Sequence, residues 1–374
     1  MNVLSLYDGM SCGMIAFRQL GIPVDEYHAY ETDKFAVKVS QHNFPEIVHH
    51  GDVLDGNFTV FHGCDWLIGG SPCTYWSIAQ NPEKRETQAS GIGWNLFQQY
   101  IRALHEAEPK YFLYENNDSM DNAIRESISE AFGFEPVMIN SALVSAQFRK
   151  RLYWVGKRNP DGTYSKSKIE MPADRGLLVR DILDSGYPCF TTISGKSLAL
   201  TVKRIQHGQG FDPVKYSAEH TPATNCAVRI GNLPNNDGTV SNSQGIRIYD
   251  INGKSVKLNA NGGGKGAKTG LYAIKTDNPS KKYRVYEVRN NQIKQDGKTY
   301  PLKVPDGFYI IRKLTVSECM KLQTVPDWYD FSVISQTRAY KCLGNGWTIE
   351  VIMHIIKQAM QGKTECTYKQ LALF

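Results

Sequence analysis

Cys73 stands in the run Gly69-Gly70-Ser71-Pro72-Cys73-Thr74-Tyr75-Trp76-Ser77, a loop punctuated by glycine and proline directly after an apolar stretch. A cysteine at the carboxyl end of a strand is placed for nucleophilic work, provided its thiolate is favoured. Taken alone it reads first as a buried, inert thiol, the commonest fate of a cysteine. Tyr111-Phe112-Leu113-Tyr114-Glu115-Asn116-Asn117 changes that reading, because a second strand there delivers a carboxyl, Glu115, to the same sheet edge. Gln147-Phe148-Arg149-Lys150-Arg151 opens a third run. Alternation puts Gln147, Arg149 and Arg151 on one side, so two guanidinium groups point the same way. A lone arginine reads as a salt-bridge partner; a pair beside a candidate thiolate favours chemistry.

A second constellation lies nearer the N-terminus. In Tyr7-Asp8-Gly9-Met10-Ser11-Cys12-Gly13 a strand enters, glycines allow a tight turn and close backbone approach, and a helix leaves. The arrangement suits a nucleoside-containing ligand, although the full GxGxxG is missing. Glu31 ends the next strand, 23 residues after Asp8, and can accept hydrogen bonds from both ribose hydroxyls. Asp52 follows the third strand in His50-Gly51-Asp52-Val53, where it can accept from an adenine amine. Each acid alone reads as a helix cap or loop residue. Three successive strand ends with fitting residues favour the ligand.

The elements that must position these residues are short. Val3–Tyr7, Glu26–Tyr30, Ile47–His50, Trp66–Ile68, Tyr111–Tyr114 and Leu152–Val155 read as strands, with helices at Gly13–Leu20, Lys34–Asn43, Asn95–Ala107 and Asp121–Ala131. Such alternation predicts an α/β fold, a doubly wound and mostly parallel sheet with helices on both faces. Beyond about residue 185 Gly, Asn, Ser, Thr and Lys dominate, and runs such as Ile246–Ile251 and Tyr283–Val288 predict a second, smaller, irregular β-rich domain. Asn259–Gly270, glycine-rich and carrying Lys265 and Lys268, is a nucleic-acid contact or a flexible connector. Helical patterns return at Thr315–Leu322, with Glu318 three positions after the capping threonine, and at Thr348–Gln361. The expected division is a catalytic domain over 1–184, completed by 336–374, with a target-recognition domain over 185–335.

Composition narrows the partners. The 374 residues are 41% hydrophobic and 21% charged, which excludes wholesale disorder. No apolar stretch approaches the roughly 18 residues of a spanning helix, and the first residues lack the basic start of a signal peptide. Eight cysteines without a CxxC pair read as reduced thiols in the cytoplasm, with no metal site expected. Residues 1–150 hold ten Lys and Arg against 19 Asp and Glu, whereas residues 151–374 hold 33 against 18. An acidic half serving a small-molecule ligand and a basic half facing a polyanion fit that asymmetry, as does uneven surface solvation.

The motifs together resemble the cytosine-C5 DNA methyltransferase family. The carriers are the Tyr7–Gly13 turn, Glu31, Asp52, the Pro72-Cys73 loop with Ser77, Glu115-Asn116 and the Gln147/Arg149/Arg151 triplet. Arg312-Lys313-Leu314-Thr315 through Leu322-Gln323 is similar to the family's ninth motif, and Leu343-Gly344-Asn345-Gly346-Trp347-Thr348 to its tenth. Thr74 replaces the frequent Gln, Asn117 the usual Val, and Trp347 an aliphatic residue, changes that bear on subfamily rather than reaction. The resemblance implies a Rossmann-like, S-adenosylmethionine-dependent enzyme acting as a monomer on double-stranded DNA, in the setting of restriction and modification. It implies that Cys73 adds to cytosine C6, that Glu115 contacts N3 and the exocyclic amine, that Arg151 holds O2, and that Arg149 supports the thiolate. To give N3 a proton, Glu115 must hold one in a buried site. The target atom is hidden in a duplex, so the nucleotide must be flipped out. By the same resemblance the cofactor lies against Tyr7, Asp8, Gly9, Gly13, Glu31, Thr32, Asp52, Gly70, Pro72, Leu96, Asn345, Gly346 and Trp347, while Ser77, Gln147, Lys265 and Lys268 face DNA. Two competing expectations are an RNA methyltransferase of the same fold and a catalytically inactive homologue acting as a binding module.

Overall fold

A computed structural model of the chain describes residues 1–78, 80–184, 226–232, 245, 247–260, 266–276, 285–295 and 298–361. Strands β1 (Asn2–Leu6), β2 (Glu26–Tyr30), β3 (Val48–Gly51), β4 (Trp66–Gly69) and β5 (Tyr111–Asn117) are mutually parallel, in the order β3-β2-β1-β4-β5. Helices α1 (Cys12–Gln19), α2 (Lys34–Asn43), α3 (Gly91–Ala107) and α4 (Asn122–Phe132) lie among them. Strand residues alternate between two cores. Val3, Trp66 and Ile68 join Ile15, Phe17 and Val39 in one, whereas Leu4, Leu6 and Leu67 join Phe97, Tyr100 and Ile128 in the other. A sheet buried on both faces is what winding helices around each side requires.

Past β5 the sheet takes β6 (Val137–Asn140), β7 (Lys150–Arg158) and β8 (Tyr164–Lys166). β7 pairs antiparallel with β5, β6 and β8. The run around Leu152–Val155 is therefore the reversed strand of a mostly parallel sheet. Its reversal follows from β6, which pattern reading did not separate: the connection from Asn140 to Lys150 is too short for a crossover.

The second sheet contains β9 (Arg229–Asn232), β10 (Arg247–Asp250), β11 (Leu271–Lys275), β12 (Tyr286–Arg289), β13 (Gln292–Gln295), β14 (Lys298–Pro301) and β15 (Gly307–Arg312). Their order is β14-β13-β12-β15-β11-β10-β9, and only β10 and β11 pair parallel. Ile230, Ile248, Leu271, Val288 and Leu302 form its own core, but Tyr249 and Tyr272 pack into the core of the large sheet.

Helices α5 (Val179–Ile182), α6 (Val316–Leu322), α7 (Gln336–Asn345) and α8 (Ile349–Met360) complete the chain. Thr315 and Glu318 form the capping box that starts α6. Leu314, Cys319, Leu322, Val325, Tyr329 and Phe331 all join the large sheet's core, as do Ile352 and Ile355 of α8. The stretch from Leu314 to Phe331 thus contributes to the large sheet's core, as Tyr249 and Tyr272 also do. No helix among the described residues is long and apolar enough to cross a membrane.

Candidate active site

The carboxyl ends of β1 to β5 open onto a cavity of about 420 Å³. Its first wall is the turn between β1 and α1, where Tyr7, Gly9 and Ser11 all have φ near +60°. Left-handed backbone at Tyr7 and Ser11 is costly for residues with a side chain, so the surroundings must hold it. Asp8 does so. One of its carboxylate oxygens accepts from Ser5 Oγ at 2.6 Å and Tyr27 Oη at 2.7 Å, and the other accepts from Ser11 Oγ. Burial raises the Asp8 carboxyl above the ordinary range while these three hydroxyls pull it down. Asp8 lines the cavity, but its acceptors are turned into the protein, where they knot the turn together. Tyr7 Oη donates to the Leu96 carbonyl at 2.7 Å, which draws the start of α3 onto the same wall.

Gly13 departs from expectation. It is absent from the cavity wall, and a Cβ there would come within 2.1 Å of Ile68 Cδ1 and 2.9 Å of Tyr27 Oη. Its glycine serves the close packing of α1 on β4.

Glu31 and Asp52 both line the cavity, and both also serve the backbone. Glu31 Oε2 accepts from Gly9 N at 2.8 Å, and Oε1 from Thr32 N at 2.9 Å and Asp33 N at 2.7 Å. Burial raises the Glu31 carboxyl, and these N–H groups oppose the rise. Asp52 caps the short turn after β3 by accepting from Leu54 N at 3.0 Å. A carboxylate has about four acceptor directions, so each retains capacity for a ligand.

The second wall carries the reactive groups. Gly70 lets β4 end against β5, since a Cβ there would meet the Glu115 carbonyl oxygen at 2.6 Å and Glu115 Oε2 at 3.0 Å. Ser71 Oγ and Tyr114 Oη share a hydrogen bond of 2.6 Å, and Asn116 Nδ2 donates to the Ser71 carbonyl at 3.1 Å. These contacts fix the loop that presents Pro72 and the half-buried Cys73 to the cavity. Glu115 lies across it. Arg151 Nε reaches Glu115 Oε1 at 2.8 Å, and Trp347 Nε1 donates to Oε2 at 2.9 Å. Arg149 is buried and donates to the carbonyls of Gly344 at 3.3 Å and Gly346 at 2.9 Å, holding the loop between α7 and α8 against the site. Desolvation, then the neighbouring Arg151, lowers Arg149 to about 10, with Glu115 and Cys73 acting in the opposite sense. Cys73 is thus within electrostatic reach of the Arg149 guanidinium.

The structure does not bring every expected residue here. Gln147 is fully buried: its Oε1 accepts from Leu258 N at 2.9 Å, and its Nε2 donates to Leu322 O at 3.2 Å and Gln323 Oε1 at 3.1 Å. It ties three distant segments together beneath Arg149. Ser77 lies past the cavity rim, its amide donating to the Cys73 carbonyl at 3.0 Å. Lys268 donates to the Thr337 carbonyl at 3.2 Å, away from the cavity, and Lys265 lies outside the described residues. Pattern reading missed Cys12, Asp33 and Lys341, which line the cavity, the last two joined in an ion pair of 2.6 Å. Only Asp33, at a helix start, left a sequence signal.

The family model for C-5 cytosine-specific DNA methylase matches residues 1–361. The chain belongs to that family. Among its relatives, the orphan methyltransferase M.Rho11sI of Bacillus phage rho11s is 26% identical over 73% of the chain, which spans only 60% of that protein. The type II methyltransferase M.HhaI of Haemophilus parahaemolyticus is also 26% identical, over 95% of the chain and 93% of its own length. The Entamoeba histolytica methyltransferase EhMeth shares the fold, with a TM-score of 0.60 and 12% identity over 96% of this chain and 97% of that chain.

Proposed function

We infer that the chain methylates C5 of a cytosine flipped out of double-stranded DNA, through a covalent bond between Cys73 Sγ and cytosine C6. The observation that supports this most is that one cavity is lined both by Cys73, Glu115, Arg149 and Arg151 and by Glu31 and Asp52. Its volume suits a nucleoside-sized ligand. S-adenosylmethionine, when bound, supplies an electrophilic methyl group. Glu31 would accept from the ribose and Asp52 from the adenine amine, with Thr32, Leu96, Asn345 and Gly346 enclosing the remainder.

Cytosine C5 is too weak a nucleophile to react unaided. Thiolate addition at C6 makes C5 enamine-like and divides one hard step into easier ones. Glu115 faces the N3 and exocyclic-amine edge, and Arg151 serves both O2 and the Glu115 carboxylate. Arg149 adds positive charge near the sulfur. Bound S-adenosylmethionine would supply the methyl group to C5 and leave as S-adenosylhomocysteine, and loss of the C5 proton to water would then expel the Cys73 thiolate. The smaller sheet and its basic flanks would receive the duplex and choose the site.

Cys73→Ser tests this reading. Transfer of labelled methyl groups to duplex DNA should fall to background, while S-adenosylmethionine binding stays within about twofold, because an alcohol of much higher pKa cannot add to C6. A Ser variant that methylates DNA at the wild-type rate removes Cys73 from the chemistry. Methylation of tRNA in place of duplex DNA would move the substrate to RNA.

A further inference from the structure

Glu115 is gripped from two sides by elements far apart in the chain. Arg151, at the start of β7, forms an ion pair with Oε1 at 2.8 Å, while Trp347, 232 residues from Glu115 and in the loop between α7 and α8, donates a hydrogen bond to Oε2 at 2.9 Å. Each carboxylate oxygen offers two acceptor directions. Donors on separate oxygens therefore fix the plane of the group and leave one direction open on each for a substrate. An indole N–H only donates, and its ring is rigid, so where the ring sits decides where Glu115 points.

The backbone beneath that ring is fastened. The Gly346 carbonyl accepts from Arg149 Nη2 at 2.9 Å and Gln323 Nε2 at 3.0 Å, and Trp347 N donates to Cys12 Sγ at 3.3 Å. The indole itself is half-buried and lines the same cavity as Glu31 and Asp52. It touches the catalytic acid with its N–H and forms part of the wall facing a cavity ligand with its ring.

We propose that Trp347 is a positioning residue for Glu115: its indole N–H holds the acid for the target base, and cofactor bound against the ring tightens that hold. The proposal rests on the cavity being the cofactor and cytosine site. Cofactor and target base are then coupled through one hydrogen bond, and the coupling is reciprocal, each improving the other's binding by the same factor. A tryptophan serving merely as an apolar wall would be replaced without loss by phenylalanine.

Trp347→Phe keeps an aromatic face and removes the donor. The full chain is compared with wild type in two measurements. One is affinity for a duplex substituted throughout with 5-fluorodeoxycytidine, with and without saturating S-adenosylhomocysteine. The other is the single-turnover rate of covalent trapping on that duplex with S-adenosylmethionine. Thermal melting of the free chain reports folding and should be unchanged, and S-adenosylhomocysteine affinity without DNA is measured beside it because Trp347 lines that cavity. Trapping should slow by about tenfold or more, the size of one hydrogen bond to a charged group, and the enhancement of DNA affinity by S-adenosylhomocysteine should shrink toward one. In a Glu115→Gln background the same substitution should leave that enhancement unaltered, because the two residues act as a unit. Unchanged trapping and unchanged coupling overturn the proposal. So does a drop in S-adenosylhomocysteine affinity without DNA that accounts for the whole effect. A wild type that neither binds S-adenosylhomocysteine nor traps DNA refutes the reading of the cavity itself, a result distinct from a variant that matches an active wild type.

Discussion

Three backbone N–H groups converge on Glu31, from Gly9, Thr32 and Asp33, and the same carboxylate lines the cavity. One residue thereby shapes the first turn, starts α2 and offers acceptors to a ligand. Glu31→Ala should weaken S-adenosylmethionine binding by roughly 1–3 kcal/mol and also lower the melting temperature, since buried donors lose their partner. Calorimetric titration separates the two effects. A stability loss with intact cofactor affinity would leave Glu31 a turn clamp alone. Asp8 carries the opposite lesson. Sequence places it on the ligand, and it does line the cavity, but Ser5, Ser11 and Tyr27 take three of its acceptor directions for the turn. An acid at a strand end looks the same in sequence whether its lone pairs meet a ligand or its own turn.

At the scale of elements, the ion pair between Arg312 and Glu318 joins the last strand of the small sheet to α6. Both side chains are buried, and the guanidinium meets the carboxylate with two bonds of 2.6 Å. Arg312→Met leaves the buried Glu318 charge without its partner, which costs on the order of 3–5 kcal/mol. Chemical denaturation of the full chain measures that loss; a change below 1 kcal/mol would show that solvent reaches Glu318 on substitution. The parallel half of the large sheet was legible because each short apolar run ends on a residue type with evident chemistry. β7 was legible as a strand but not in its direction, which an apolar run does not encode; the short link from β6 decides it. Period two correctly grouped Arg149 and Arg151 on one cavity wall, and it placed Gln147 with them. It could not show that the packing of Leu258, Leu322 and Gln323 closes over Gln147. Gly13 misled in a related way, because close helix packing and close ligand approach both demand glycine. The bond between Trp347 and Glu115 had no sequence signal, since it depends on how two distant segments meet.

For the whole molecule, the charge asymmetry between the first 150 residues and the rest acquires a location. Lys268 and Lys313 lie on the side of the small sheet nearest α7, with Arg338 and Lys341 close enough to lower Lys268, after burial, from its ordinary range. Lys341 also lines the cavity rim. Phosphates set against such a cluster of like charges relieve its repulsion. Replacing Lys268 and Lys313 together with Gln should make the dependence of duplex affinity on salt shallower by about two phosphates' worth. An unaltered slope would place the duplex on another face. The central claim, that Cys73 bonds to cytosine C6 in a flipped nucleotide, is tested most directly by a single adduct. The wild-type chain is incubated with S-adenosylmethionine and the 5-fluorodeoxycytidine duplex, denatured, digested and mapped by mass spectrometry. Fluorine cannot leave C5 as a proton does, so the account predicts one denaturation-resistant cross-link, on the peptide containing Cys73, carrying one added methyl group. Methylated duplex with no cross-link, or a cross-link on any other residue, would contradict it.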